Sequence, residues 1–499
     1  MTLDMAAVED SRLPLFIGGE PSPPRSGRHF PSYDPTTGQP WYQAAEAGPE
    51  DVDAAVSAAR AALADPDWRH ISQTARGELI SRLADLIGER AGEIARIESR
   101  DNGKLLKETH AQISFLRDYY RYFAGLADKI QGDTIPVNKS QMLNYTTFEP
   151  IGVVAIIGPW NSPLTTMSVA VAPCLAIGNT IVAKPSEHTS ATALAFAELV
   201  KEAGFPDGVF NIITGPGDPT GNALTSHPGV NKVAFTGGTA TGRIVATNAA
   251  THVAPCNLEL GGKSPHVVFV DADFERALNG VVAGVFAAAG QTCVAGSRTF
   301  IQRPIYDAFL DALAEKAKQV QIGHPLDGDT QMGPLALSSQ LEKVGRYVKF
   351  GIEDGARLIA GGKRPDREGW YFEPTVFADV TNDMRVARDE IFGPVLGVIP
   401  FDDEAELIAL ANDTAYGLAA GIWTRDIDRA LRFAASIDAG TVWINTYRTG
   451  SMMSPFGGFK ESGYGKHNGF AAVREYARLK NVVIDYSGKT QDPFVIRVK

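Results

Sequence analysis

The chain runs to 499 residues with 44% hydrophobic, 21% charged and 9% aromatic residues, a balance that suits roughly two to four globular units and excludes a disordered or fibrous chain. A net charge of -11 with no Lys/Arg cluster excludes nucleic acid as a partner, because binding a phosphate backbone needs clustered cations. Three cysteines, Cys174, Cys256 and Cys293, are too few and odd in number for a disulfide framework, so a reducing, cytoplasmic setting is expected.

The first residues place Asp4, Glu9 and Asp10 ahead of Arg12 without an apolar run of signal-peptide length. The apolar stretch 169–177 is about half a bilayer span and is broken by Pro173, so no membrane segment is expected. Residues 21–40, dense in Pro, Gly and Ser, read as an irregular surface lead-in. From 79 to 97 apolar residues recur every three or four positions between charged ones, which predicts one amphipathic helix.

Between 150 and 270 the pattern alternates. Short apolar strands are expected at 153–157, 180–183, 209–213, 232–235 and 266–270, with helices at 163–177 and 190–203. That alternation predicts a parallel α/β sheet binding its ligand at the carboxyl ends of the strands. A second α/β unit follows, with strands at 298–302, 395–400, 419–423 and 441–445 and helices at 305–320 and 426–437. The segment 481–486, NVVIDY, reads as a late strand with nothing after it to pair with, which predicts pairing between subunits and hence an oligomer.

Chemistry concentrates in a few short segments. Cys293 lies in GQTCVAGSR, where Gly290 permits a tight turn and small neighbours leave room beside the sulfur. A free thiol has a pKa of about 8.5, so a nucleophilic role requires a nearby base. Glu259, in NLELGGKSP, sits between leucines and enters a Gly-Gly turn, so it is either a desolvated base or a glutamate exposed at a strand end. Asn161, in GPWNSP, either donates to a developing oxyanion or caps the helix beginning at Pro163.

On the cofactor side, Lys184 and Glu187 in AKPSE follow a strand end. They suit a ribose, with Glu187 repelling a 2'-phosphate and so favouring NAD over NADP, or else form an exposed ion pair. FTGGTATG, 235–242, is a glycine-rich strand-to-helix turn suited to a pyrophosphate, although its spacing is not G-x-G-x-x-G.

In order along the chain, PWNSP, AKPSE, FTGGTATG, LELGGKSP, GQTCVAGSR, EIFGPV and PFGGFKESGYG make this sequence resemble the aldehyde dehydrogenase superfamily from about residue 15 to 487. The resemblance implies an α/β fold. A Rossmann-type NAD-binding domain would span 1–131 and 151–261, a catalytic domain 262–476, and a small β oligomerisation element 132–150 with 477–499. It implies that Cys293 is the nucleophile, that Glu259 activates the deacylating water, and that the Asn161 amide and the Cys293 backbone N–H form the oxyanion hole. Lys184 and Glu187 look like adenosine-ribose contacts, and Glu390 like the nicotinamide-ribose contact. Phe392 would lie beside the nicotinamide, with Trp160, Gly237, Gly238, Thr239 and Gly242 completing the cofactor wall. The implied cofactor is NAD, with no metal; the substrate is a small aldehyde and the assembly a homodimer or homotetramer.

Departures from the family pattern add further expectations. Gly238 stands where many members carry Ser, leaving phosphate contacts to backbone N–H groups. His467 replaces a carboxylate often found near the end; it could relay a proton near neutral pH, but is expected to be exposed. Ser162, Thr165, Thr166 and Val169 predict a wider or more polar substrate pocket than aromatic side chains would build. Arg448 either meets a carboxylate on the far end of a semialdehyde or faces solvent. Cys174 and Cys256 are expected to be structural. The alternatives to hydrolytic aldehyde oxidation are a CoA-acylating semialdehyde dehydrogenase, which Glu259 argues against, and a non-catalytic binding homologue.

Overall fold

The fold is built on two open sheets in a computed structural model that describes residues 8–490 and 493–494. The first sheet has eight strands, in the order Gly463–Tyr464, Cys256–Glu259, Lys232–Thr236, Val153–Ile157, Thr180–Lys184, Phe210–Ile212, Leu15–Ile17 and Glu20–Ser22. Its middle pairs are parallel and its outer ones antiparallel. VVAII and TIVAK are buried at every position, as expected of central parallel strands covered on both faces by helices.

From Val153–Ile157 the chain steps outward through Thr180–Lys184 to Phe210–Ile212, then returns to the other side of Val153–Ile157 with Lys232–Thr236. The order reverses there, opening a crevice at the carboxyl ends of those two strands. Register aligns the ends: Ile157 pairs with Lys184 on one side and Phe235 on the other, and Thr236 pairs with Glu259.

The second sheet runs Arg357–Ala360, Thr375–Ala378, Val395–Phe401, Arg298–Gln302, Pro265–Val268, Ala419–Trp423 and Thr441–Ile444, parallel except for the first. It carries its own apolar core, centred on residues such as Val267, Phe300 and Ile422. The helix Pro163–Ile177 has proline at its first turn and ends at Gly178 with φ +94°, the two signals that start and stop a helix.

Several expectations are corrected. Residues 21–40 are not irregular: His29–Asp34 pairs with Gln39–Ala45, which also pairs with Arg12–Leu13. Pro31 is tolerated because its strand is an edge, with a register shift beside it at Ser32 and Tyr33. The single helix expected over 79–97 is two, Gln73–Glu89 and Ala91–Asn102, broken at Arg90 (φ -107°, ψ 13°). Both halves bury their stripes in one core, so the apolar period continues across the break.

The late strand is Ala477–Asp485, and it does have a partner within the chain. It pairs antiparallel along its length with Met142–Pro150, more than three hundred residues earlier. Sequence neighbours of 481–486 could not reveal a partner so distant. No helix among the described residues is long and apolar enough to cross a membrane.

Candidate active site

The loops at the carboxyl ends of the first sheet face the segment carrying Cys293 across a cavity of about 330 Å³. Its walls bring together Trp160, Asn161, Gly237, Gly238, Glu259, Cys293, Glu390 and Phe392, eight of the residues singled out from sequence. Thr165, Thr166, Val169 and His467 line it as well, whereas Ser162, expected on the same wall, does not, its hydroxyl being turned to Lys104. Lys184, Glu187, Thr239 and Gly242 stand outside this wall, along the sheet edge and the following helix.

Cys293 follows a strained turn. Ala288, Ala289 and Gly290 take φ of +53°, +52° and +73° in succession, a left-handed run that costs the two alanines steric energy. Gly290 admits no side chain, since a Cβ would lie 2.1 Å from the Gly393 carbonyl oxygen. A Cβ on Gly262 would meet the Cys293 carbonyl oxygen at 2.3 Å, so the Gly-Gly turn lets the two loops touch. Burial pushes the Cys293 thiol up to about 12, with the charges of Glu390 and Glu259 adding to it and Arg448 opposing. The resting sulfur is therefore a thiol, and its attack needs a base.

Asn161 does not cap the helix. The capping position is Ser162, with no side-chain cap bond, while Asn161 Nδ2 donates to the Gln291 carbonyl at 2.8 Å. Gln291 is itself fixed: its Oε1 accepts from Ala336 N at 2.9 Å and its Nε2 donates to the Ala288 carbonyl at 3.3 Å. From beneath, Asn102 Nδ2 donates to the Asn161 carbonyl at 3.4 Å and Lys104 Nζ to Ser162 Oγ at 2.5 Å. Buried Glu98 accepts from Leu164 N at 3.3 Å. The second Nδ2 hydrogen of Asn161 remains for a ligand on the cavity side.

Glu259 ends its strand buried, and neither carboxylate oxygen has a hydrogen-bond partner among the described residues. Burial pushes its carboxyl well above the usual range; Lys466 opposes the rise and Glu475 adds to it. His467, expected to be exposed, is 5% exposed, with Nε2 4.0 Å from Glu259 Oε1. The antiparallel contact of Phe456 with His467 turns the imidazole inward, a long-range constraint that local polarity does not announce. Burial lowers its pKa to about 4, so it is neutral at pH 7.

The cofactor wall suits a dinucleotide. Gly238 heads the helix Thr239–Ala250 with no side-chain cap, and nothing lies within 4 Å of where its Cβ would be, so open helix N–H groups face space. Gly242 lets that helix approach Leu260, which a Cβ would meet at 2.5 Å. Thr239 lies at its first turn, Oγ1 3.5 Å from the Glu461 carbonyl. Lys184 is buried rather than exposed, donating to the Gly215 carbonyl at 2.7 Å and the Pro185 carbonyl at 3.1 Å, with Glu187 3.7 Å away.

Glu390 is anchored by Gly262 N, which donates to its Oε1 at 2.9 Å, and a Cβ on Gly261 would lie 2.4 Å from its Oε2. Phe392 is held at φ +61° edge-on to Trp160, ring centres 5.2 Å apart. Gln340 and Lys343 were not singled out from sequence, yet both line the cavity. Gln340 donates to the Ile391 and Phe392 carbonyls at 2.7 and 2.8 Å, and Lys343 to the Glu390 carbonyl at 2.8 Å. They lie on an amphipathic helix, Ser338–Glu353, whose pattern signals only packing. Cys174 is buried within the helix Pro163–Ile177 and Cys256 half-buried at a strand start, as expected of structural thiols.

A dinucleotide cradle at a sheet switch point, with a buried carboxylate at the end of a strand of the same sheet and a thiol facing it across the cavity, belongs to an oxidoreductase that binds its substrate next to a nicotinamide. Comparison with known proteins makes this specific. Residues 23–482 match the model of the aldehyde dehydrogenase family, and the chain belongs to that family. It is 46% identical over 470 residues to (Z)-2-((N-methylformamido)methylene)-5-hydroxybutyrolactone dehydrogenase of Acinetobacter baylyi, covering 94% of this chain and 96% of that one. It is 44% identical over 491 residues to hydroxyisobutyraldehyde dehydrogenase of Mycolicibacterium austroafricanum, covering 97% of each. The NAD+ complex of a Bacillus cereus aldehyde dehydrogenase superposes with a TM-score of 0.95 at 43% identity, covering 96% of this chain and 98% of that one. The protein is an NAD-dependent aldehyde dehydrogenase.

Proposed function

We propose that the cavity oxidises a small oxygenated aldehyde to its carboxylic acid by way of a thioester on Cys293. The observation that carries this reading is the convergence of Cys293, Glu259, Asn161 and Glu390 on one cavity. Glu259 takes the thiol proton, directly or through a water, and the sulfur adds to the carbonyl carbon. The Asn161 amide and the Cys293 N–H stabilise the oxyanion of the thiohemiacetal. NAD held by Glu390, Phe392 and Trp160 would supply the hydride acceptor for this oxidation. Once that first proton has left Glu259 for solvent, the carboxylate takes a proton from a water that attacks the thioester, and the proton passes to the departing sulfur, releasing the acid and restoring the thiol.

Lys184, Glu187, Gly237, Gly238, Thr239 and Gly242 would hold the adenosine and pyrophosphate end, and Glu390, Phe392 and Trp160 the nicotinamide end. The domain limits implied by the family resemblance belong to the same proposal. Hydroxyls at Thr165 and Thr166, on the cavity wall, support an oxygenated substrate. Two relatives bear the names of a hydroxylated aldehyde and a hydroxylated lactone.

NADH formation across short neutral, hydroxylated and carboxylated aldehydes, with the product identified with and without CoA, tests the reading. Acid release independent of CoA supports it, and an acyl-CoA product overturns the hydrolytic step.

We also propose a homo-oligomer. The ribbon formed by Met142–Pro150 and Ala477–Asp485 exposes Leu143, Leu479, Val483 and Ile484, and a two-stranded ribbon is marginal alone. A monomer in sedimentation at micromolar concentration would reject this. Three unpaired cysteines support a cytoplasmic setting.

A further inference from the structure

Beside the Cys293 cavity, a second cleft of about 600 Å³ holds two guanidiniums, those of Arg276 and Arg448. Among the described residues neither has a carboxylate within ion-pair distance. Arg276 Nη2 donates to the Asn445 carbonyl at 3.2 Å, and Arg448 Nη1 lies 3.4 Å from the Ala283 carbonyl. Arg448 is half-buried, not solvent-facing, and its backbone is held at φ +59°, a conformation that disfavours a side chain. A guanidinium partly removed from water without a counter-charge is poorly compensated, and a bidentate anion is the ligand that matches its fork of donors.

The cleft adjoins the nucleophile. Ala283 and Ala287 line it from the helix Phe274–Phe286 and its extension, which lead directly into the strained turn before Cys293. Its other side is the Asn445–Arg448 loop, where Tyr447 Oη donates to the Val294 carbonyl at 3.0 Å, one residue past the nucleophile. Arg448 is near enough for its charge to act on the Cys293 thiol. The one carboxylate lining the cleft, Glu108, accepts from Ala288 N at 3.2 Å. Ala283 and Ala287 present only methyl groups on this wall.

We propose that the Arg276 and Arg448 cleft binds the carboxylate of an aldehyde substrate, so that the preferred substrates are aldehydes carrying an acid group at the far end of a short chain. This deepens the aldehyde-oxidising reading of the Cys293 cavity and rests on it.

The test compares kcat/KM for neutral, carboxylated and ammonium-bearing aldehydes of matched short lengths. The wild type is expected to favour the carboxylated member by about tenfold or more, carried mainly by KM. Arg448→Ala and Arg276→Ala lower the acidic-to-neutral ratio by about tenfold, and Arg448→Lys retains part of it. Arg448→Glu shifts preference toward the ammonium-bearing aldehyde. Turnover of the neutral aldehyde reports that each variant is folded.

A wild-type ratio near one, or a ratio unmoved by Arg448→Ala and Arg448→Glu while neutral aldehydes still react, overturns the cleft's role and leaves the aldehyde-oxidising reading standing. Absence of NADH with every aldehyde overturns both.

Discussion

His467 Nε2 lies 4.0 Å from Glu259 Oε1, with both side chains buried on the wall of the Cys293 cavity. Burial holds the imidazole neutral near pH 7 and pushes the carboxyl upward, so the two are not an ion pair there. The base is tuned by charges further out, from Lys466 and Glu475.

That arrangement sets a pH dependence. Protonated Glu259 cannot accept a proton, so kcat/KM rises with pH as the raised carboxyl ionises, and its acid limb lies above the ordinary carboxylate range. Lys466→Met removes a charge that lowers this pKa and moves the limb to higher pH; Glu475→Gln moves it lower. Limbs that coincide in all three proteins would take Glu259 out of the profile.

Replacing Glu259 with Gln should lower steady-state turnover by about 10²- to 10⁴-fold. Because Glu259 also takes the thiol proton, the NADH burst in rapid mixing should slow together with turnover, and a full burst of one NADH per active site before turnover stalls would confine Glu259 to deacylation. An unchanged steady-state rate contradicts the assigned role.

Asn161→Ala removes the side-chain donor that Gln291 positions, and should lower kcat by about 10²- to 10³-fold with little change in KM. Pre-steady-state and steady-state kinetics check the split. A change confined to KM would mean that Asn161 binds substrate and does not stabilise the oxyanion.

At Gly261 an added methyl would lie 2.4 Å from Glu390 Oε2 and dislodge the carboxylate that Gly262 N holds. Gly261→Ala is expected to raise KM for NAD by about tenfold, the scale of one lost charge-assisted hydrogen bond. Titration of NAD by protein fluorescence measures it, and an unaltered affinity would dismiss Glu390 as a cofactor contact.

His266 is buried and stacked on Tyr447 at 4.0 Å; its Nε2 accepts from Trp423 Nε1, and burial lowers its pKa to about 3. Its folded pKa is depressed, so the stability it contributes is present above the ordinary value of 6.5 and is lost as pH falls toward 3. His467 acts in the same direction, while Glu98 and Asp101, both raised to about 7, act oppositely. The prediction therefore concerns a difference. Between pH 6.5 and 4, Tm should fall less steeply for His266→Gln than for the wild type, and parallel curves would refute it.

Local signals were enough for most of the central elements. Pro163 and Gly178 bound a helix that patterning placed correctly, and the strands Arg298–Gln302 and Ala419–Trp423 match their apolar runs. The break at Arg90 and the edge strand containing Pro31 were hidden, because tertiary burial there overrides what periodicity and turn residues suggest. Glu259 was legible as a candidate base from its leucine neighbours, and Cys293 from its place in an ordered set of motifs.

The sequence by itself determined the alternation that builds the parallel centres of two sheets and the residue types able to carry thiol chemistry, since both depend on neighbours within a few positions. The tertiary structure alone decided which alternatives hold. It set Asn161 against Gln291 instead of in a cap, buried His467 beside Glu259, and half-buried Arg448 in a cleft with Arg276. It also paired the late strand with one at Met142–Pro150. Desolvation and partner choice in each case arise from groups tens to hundreds of residues apart, which only the folded chain brings within reach.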